Sequence, residues 1–242
     1  MIFPIGDDNV KRGYYPYLSY ALIAFNILIF LYELSLESKQ GGLTQFILDY
    51  GAFPYKIQQG EAMYTLFTSM FLHGGWMHLI GNMLFLWVFA DNIEATIGTS
   101  KFFVFYFLGG LAAHICHIYF NMGSEIPTVG ASGAISAVMG AYLVMFPHSK
   151  VKVLFFVFVF RVSAFIFLGV WIWQQWMAGS ASLDVSTAES AGVAYWAHVG
   201  GFVFGVLAGF YYRTKFRMPA LENESSSSDQ PEVYRPRNEE FV

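Results

Sequence analysis

The chain has 242 residues, 56% of them hydrophobic and 12% charged, with a formal net charge of −4. Soluble domains carry about 25% charged residues, so this composition, with a mean hydropathy of +0.47, excludes a soluble domain. It implies an all-α, polytopic membrane protein. The small net charge gives no reason to expect a nucleic-acid partner, and the single cysteine, Cys116, excludes an internal disulfide and a cysteine-based zinc site. Cys116 reads as a small apolar filler within a span.

Residues 1–16 read as a cytoplasmic N-terminal segment. Lys11 and Arg12 precede the first apolar run without a small-x-small cleavage site, so no cleavable leader is expected. Six apolar segments follow, at about 17–36, 76–92, 102–121, 131–147, 155–177 and 194–212. Between the first two lies a long loop, 37–75, with apolar pieces of its own (Phe46-Ile47-Leu48 and Met70-Phe71-Leu72), which is expected to lie on or partly in the membrane surface. The tail, 214–242, is polar, includes Ser225-Ser226-Ser227-Ser228, and reads as disordered and cytoplasmic. No internal repeat or second domain is visible.

Lysine and arginine set the expected orientation. Lys11, Arg12, Lys101, Lys150, Lys152, Arg213, Lys215 and Arg217 fall on one side if both termini are cytoplasmic, whereas only Lys39 and Lys56 face the other. Arg161 is expected to snorkel from the cytoplasmic start of the fifth span, with a buried counter-ion as the alternative.

Polar side chains inside spans are costly and mark function. The second, fourth and sixth spans run in the same direction, and each carries such residues near its outer start: His78 and Asn82, Ser132, and His198. The fourth span is short. Seventeen residues give about 25 Å, against a hydrocarbon core of about 30 Å. With Pro147 pinning the cytoplasmic end, the end bearing Ser132 is recessed, and the preceding loop lines a depression that water can enter.

Ser132 lies between Ala131 and Gly133 at this helix start, with Gly130 just before. The first amides of a helix lack internal acceptors, and the dipole favours an anion there. Ser132 thus suits a nucleophile whose own amide can stabilise an oxyanion. His78 and Asn82, spaced i, i+4, share a face and supply further donors. Gly201, Gly205 and Gly209 form a small-residue stripe on the sixth span, facing Gly133, Ser136, Ala137 and Gly140 of the fourth. Close packing there would bring His198 to Ser132 as a general base. No carboxylate stands at that depth to orient His198, so the unit would be a dyad. Metal-based and paired-aspartate chemistries fit less well. His-Glu-x-x-His is absent, Asp91 stands alone at a helix end, and no carboxylate converges with His114 and His117, whose i, i+3 spacing could hold a metal.

Three motifs carry a resemblance to the rhomboid family of intramembrane serine proteases. They are His73-Gly74-Gly75-Trp76-Met77-His78 with Asn82, Gly130-Ala131-Ser132-Gly133, and Ala197-His198-Val199-Gly200-Gly201. The resemblance covers 17–213, in order and spacing. It implies a six-span helical bundle with Ser132 as nucleophile and His198 as base. His78, Asn82 and the Ser132 amide would form an oxyanion hole, the fifth span a lateral gate, and Glu94 a structural acid. The substrates would be transmembrane segments of membrane proteins, cut near their outer end after a small side chain and without metal or cofactor. Separately, the lack of an extra span or targeting peptide leads us to expect a plasma membrane. The alternative the resemblance carries is a silent rhomboid-like protein that binds or escorts membrane proteins. Two departures stand out. Ser136 occupies the position where many members carry a tyrosine that stacks on the histidine, and Phe53-Pro54-Tyr55-Lys56 lacks the Trp-Arg pair often found in the first loop.

Overall fold

A computed structural model describes residues 2–8, 10, 14–183, 193–219 and 221. Lys11, Arg12 and the serine-rich part of the tail lie outside the described residues. The long helices are α1 (Tyr17–Glu37), α5 (Trp76–Ile97), α6 (Thr99–Phe120), α7 (Ser132–Met145), α8 (Ala164–Leu183) and α9 (Tyr195–Lys215). Between α1 and α5 the long loop folds into α2 (Gly42–Tyr50), α3 (Pro54–Gln58), α4 (Thr65–Thr68) and a 3-10 turn, Ser69–Phe71. Among the described residues, α1 and α6 are long and apolar enough to cross a membrane by themselves, and α7 is a shorter apolar helix. The remaining long helices are diluted by polar residues: His78, Asn82 and Asn92 in α5, Gln174 and Gln175 in α8, and His198 with a tyrosine-rich end in α9.

The fold is mostly helical, which fits the all-α reading, and it carries one small sheet besides. β1 (Ile2–Gly6), β2 (Lys150–Phe155) and β3 (Phe158–Ser163) form an antiparallel sheet in the order β1-β2-β3. The apolar run from 155 therefore does not begin a span; the first nine residues of the expected fifth segment belong to the β2–β3 hairpin and its turn, and α8 starts only at Ala164. The physical reason is the density of β-branched and aromatic residues in 151–162, with Val151 and Val153 buried while Lys150 points outward. Arg161 sits in β3 opposite Lys152, and its Nη1 lies 3.6 Å from Asp8 Oδ1. It does not snorkel from a helix. Residues 2–6 likewise form the sheet edge rather than a free segment, and at the other end of the chain Leu221 bridges to Val10.

α7 is the central post. Every residue in it except Ser132 and Leu143 is buried. α9 packs along it through glycines. A Cβ added at Gly201 would strike the Gly133 carbonyl oxygen, and one at Gly205 the Ala137 carbonyl oxygen. From the other helix, a Cβ at Gly140 would strike the Phe202 carbonyl oxygen. Only glycine allows the two backbones this close.

Glu94, fully buried at the end of α5, caps the start of α1. Its carboxylate accepts from the Leu18 amide (3.1 Å), the Ser19 amide (2.8 Å), the Ser19 hydroxyl (2.7 Å) and Thr99 Oγ1 (2.9 Å). First-turn amides have no helical acceptor, and a negative group there suits the dipole. Asp7 is buried at the same end of the bundle, where its carboxylate accepts from Asn92 Nδ2 (2.8 Å) and from the Tyr142 hydroxyl. Burial, reinforced by the nearby Asp91, pushes Asp7 up to about 8. Asp91 therefore has an acidic neighbour and does not stand alone.

Candidate active site

Ser132 is the first residue of α7, His78 the third of α5 and His198 the fourth of α9. These parallel helices present their N-terminal ends together. The chain leading to Ser132 is held by the long loop. Ala52 and Thr128 exchange backbone hydrogen bonds (Ala52 N to Thr128 O, 3.1 Å; Thr128 N to Ala52 O, 2.8 Å), and the Gly130 amide donates to Ser69 O at 2.8 Å. Gly130 has φ +120°, a conformation that favours glycine, and a Cβ there would lie 2.7 Å from His78 Nε2. Both properties require glycine.

His198 Nε2 lies 2.8 Å from Ser132 Oγ. The other ring nitrogen, Nδ1, lies 2.8 Å from Gln175 Oε1 on α8, and the Trp171 ring sits 5.7 Å from the imidazole, tilted by 37°. Ser136 makes no aromatic contact. Its hydroxyl donates to the Ser132 carbonyl at 2.6 Å, and its Cβ is only 3.3 Å from where a side chain on Gly201 would begin.

His78 and Asn82 flank Gly130. The Gly74 amide approaches His78 Nδ1 at 3.4 Å, so Nδ1 accepts and the hydrogen lies on Nε2, the nitrogen turned toward Gly130. Asn82 Nδ2 donates to His73 Nε2 at 3.0 Å and retains a second hydrogen. His73 is itself fixed. Its Nδ1 donates to Phe71 O at 3.3 Å, and its amide donates to the buried Glu33 carboxylate at 3.2 Å. Burial, with His78 beside it, pushes the His73 imidazole down to about 4, so the ring is neutral and Nε2 is free to accept. The sequence offered His73 only as part of a motif and gave no sign of Glu33 or Gln175. Each acts across a sequence separation that no local pattern spans.

The four groups open into a cavity of about 630 Å³ lined by His78, Asn82, Ser132, Trp171 and His198, with Phe85, Ile135 and Met139 forming an apolar wall. His117 also lines it, 3.4 Å from Asn121 Nδ2, whereas His114 turns away to Ser69 Oγ at 3.2 Å. The two histidines thus take different partners, and no cluster of three metal-ligating side chains occurs among the described residues.

Residues 60–215 match the family model of the Rhomboid domain. The chain belongs to the rhomboid family. Among its relatives, Rhomboid protein 1, mitochondrial, of Saccharomyces cerevisiae is 30% identical over 151 residues, 61% of this chain and 41% of that protein. Rhomboid protease GluP of Bacillus subtilis is 35% identical over 130 residues, 53% of this chain and 24% of the relative. Presenilin-associated rhomboid-like protein, mitochondrial, of Bos taurus is 27% identical over 152 residues, 58% and 36% respectively. The match covers less than half the length of each of these rhomboid relatives.

Proposed function

We propose that this rhomboid-family membrane protein is an intramembrane serine endopeptidase with Ser132 as nucleophile and His198 as general base. The observation that carries the reading is the 2.8 Å contact between His198 Nε2 and Ser132 Oγ at the mouth of a cavity. Ser132 Oγ attacks a peptide carbonyl while His198 Nε2 takes its proton. The resulting oxyanion receives the Ser132 amide, His78 Nε2–H and the second hydrogen of Asn82 Nδ2. Collapse expels the amine, which takes the proton from His198, and water then hydrolyses the acyl-enzyme by the same steps. A cavity of this size has room for on the order of twenty waters at about 30 Å³ each. A helical substrate keeps its carbonyls hydrogen-bonded, so the reacting segment must unwind, which small or helix-breaking residues near its outer end favour.

The rhomboid unit in this reading is 17–213, with α1, α5, α6, α7, α8 and α9 as six spans. The described basic residues Lys101, Lys150, Lys152, Arg213 and Lys215 lie at the end of the bundle away from Ser132, which supports cytoplasmic termini and a site opening to the opposite side. We assign the protein to a cell membrane. Two of the three relatives above are named as mitochondrial and the third comes from a bacterium, and fractionation of host membranes tests the assignment.

The deciding experiment is labelling with a serine-directed fluorophosphonate alongside release of a fragment from a transmembrane substrate. Both signals vanish in Ser132→Ala, and in His198→Ala cleavage is lost. Unlabelled wild-type protein that cleaves no substrate would instead favour a silent rhomboid that binds membrane proteins.

A further inference from the structure

We propose that Gln175 is a positioning residue that completes the site, holding His198 in the tautomer and orientation of a general base. The inference rests on the protease reading above and adds a third member to its dyad. A glutamine carbonyl oxygen only accepts hydrogen bonds. With Gln175 Oε1 at 2.8 Å, the pair forms a hydrogen bond when Nδ1 of His198 carries the hydrogen. A neutral imidazole has one such hydrogen, so Nε2 is left with its lone pair facing Ser132 Oγ at 2.8 Å. The amide thereby selects the tautomer that can accept the serine proton.

An amide suits this place better than a carboxylate. An unpaired charge in apolar surroundings is costly, whereas a neutral acceptor fixes the ring without one. Gln175 does not work alone. Trp171 lies one turn earlier, on the same face of α8, and its ring covers the imidazole at 5.7 Å. One helix face therefore holds the histidine at its edge and over its plane. Ser136, from α7, contributes neither contact and instead bonds the Ser132 carbonyl.

The placement of these two supports has a further effect. Only Ala164, Leu168 and Gly179 of α8 are buried, so it is the least enclosed of the long helices, and α7 beside it is almost wholly enclosed. The nucleophile stands on the most enclosed element and the support of the base on the least enclosed one. The geometry of His198 therefore depends on α8 being seated.

The test is steady-state cleavage of a transmembrane substrate by the full chain in proteoliposomes, with Ser132→Ala as control. Gln175→Leu removes the acceptor at nearly constant volume; kcat falls about 10- to 100-fold with KM nearly unchanged. Gln175→Glu restores an acceptor oxygen and most of kcat. Because a carboxylate favours a protonated ring, the acid limb of its kcat/KM profile lies at higher pH than in wild type. If Gln175→Leu keeps the wild-type kcat, or changes KM alone, while Ser132→Ala is inactive, the positioning role is overturned and the protease reading stands. If Ser132→Ala still cleaves, the protease reading itself falls. Should Gln175→Leu fail to fold, the Gln175→Glu profile decides: an acid limb unmoved from wild type overturns the inference.

Discussion

Substituting Gly201 by alanine should damage the site through backbone separation alone. A Cβ there lands on the Gly133 carbonyl oxygen, 3.1 Å from the Gly133 carbonyl carbon and 3.3 Å from Ser136 Cβ. Ordinary contacts to carbon settle near 3.5 Å or more, so α7 and α9 must part locally by roughly 1 Å. Gly133 adjoins Ser132, and Gly201 is one turn from His198. The same separation stretches the 2.8 Å contact between Nε2 and Oγ to beyond about 3.5 Å, where a hydrogen bond is lost. A misplacement of that size costs about 100-fold in rate, while the overpacking costs about 1–3 kcal/mol of stability. Gly209→Ala is the comparison. Its Cβ meets Ala141 Cα, Ala141 O and Val144 Cβ, all at 3.0 Å, two turns farther from the site. It should lose some stability and little activity. Initial cleavage rates in proteoliposomes, taken well below each variant's melting temperature, provide the measurement. The reasoning fails if folded Gly201→Ala cleaves within about twofold of wild type, or if Gly209→Ala loses as much activity as Gly201→Ala.

Three further outcomes follow from the contacts described. Glu94→Ala leaves the Leu18 and Ser19 amides without their acceptor, and thermal or denaturant unfolding should show a loss of about 2–4 kcal/mol. Asp7 holds its proton to about 8 in the fold, whereas an unfolded aspartate releases it near pH 4. The native state therefore binds the extra proton between those limits, and stability declines as pH rises from about 4 to 8. Asp7→Asn should narrow the difference in melting temperature between pH 5 and pH 8. His73→Leu removes the acceptor that fixes Asn82; kcat should drop roughly tenfold with KM little changed, a smaller loss than truncating an oxyanion donor itself.

The helices and their polar ends were legible because each carries a local signal. The glycines of α9 and the small residues of α7 announced a close approach, and the structure brings Ser132 and His198 within hydrogen-bond distance. The sheet was not legible as such. Residues 151–162 are so apolar that hydropathy alone reads them as membrane, and only their β-branched and aromatic content separates strand from helix. Gln175 was hidden for a different reason. It sits 23 residues before His198 in a tryptophan-rich run, and its partner is fixed by how α8 leans on α9. Glu33 and His73 likewise meet 40 residues apart. Sequence period reports which face of a helix is buried, and it cannot say which neighbour that face meets.

The enclosure of α7 bears on how the protein is made. Its 14 residues extend about 21 Å, too short to cross a bilayer of about 30 Å unaided. Lipid would also meet its Ser136 and Gly140 surfaces until α9 covered them. α9, which fits that surface, begins at Tyr195 and is synthesised after α7. The segment bearing Ser132 therefore settles late, when α9 arrives to close over it. Until then Ser132 has no His198 beside it, and the proposed dyad is incomplete.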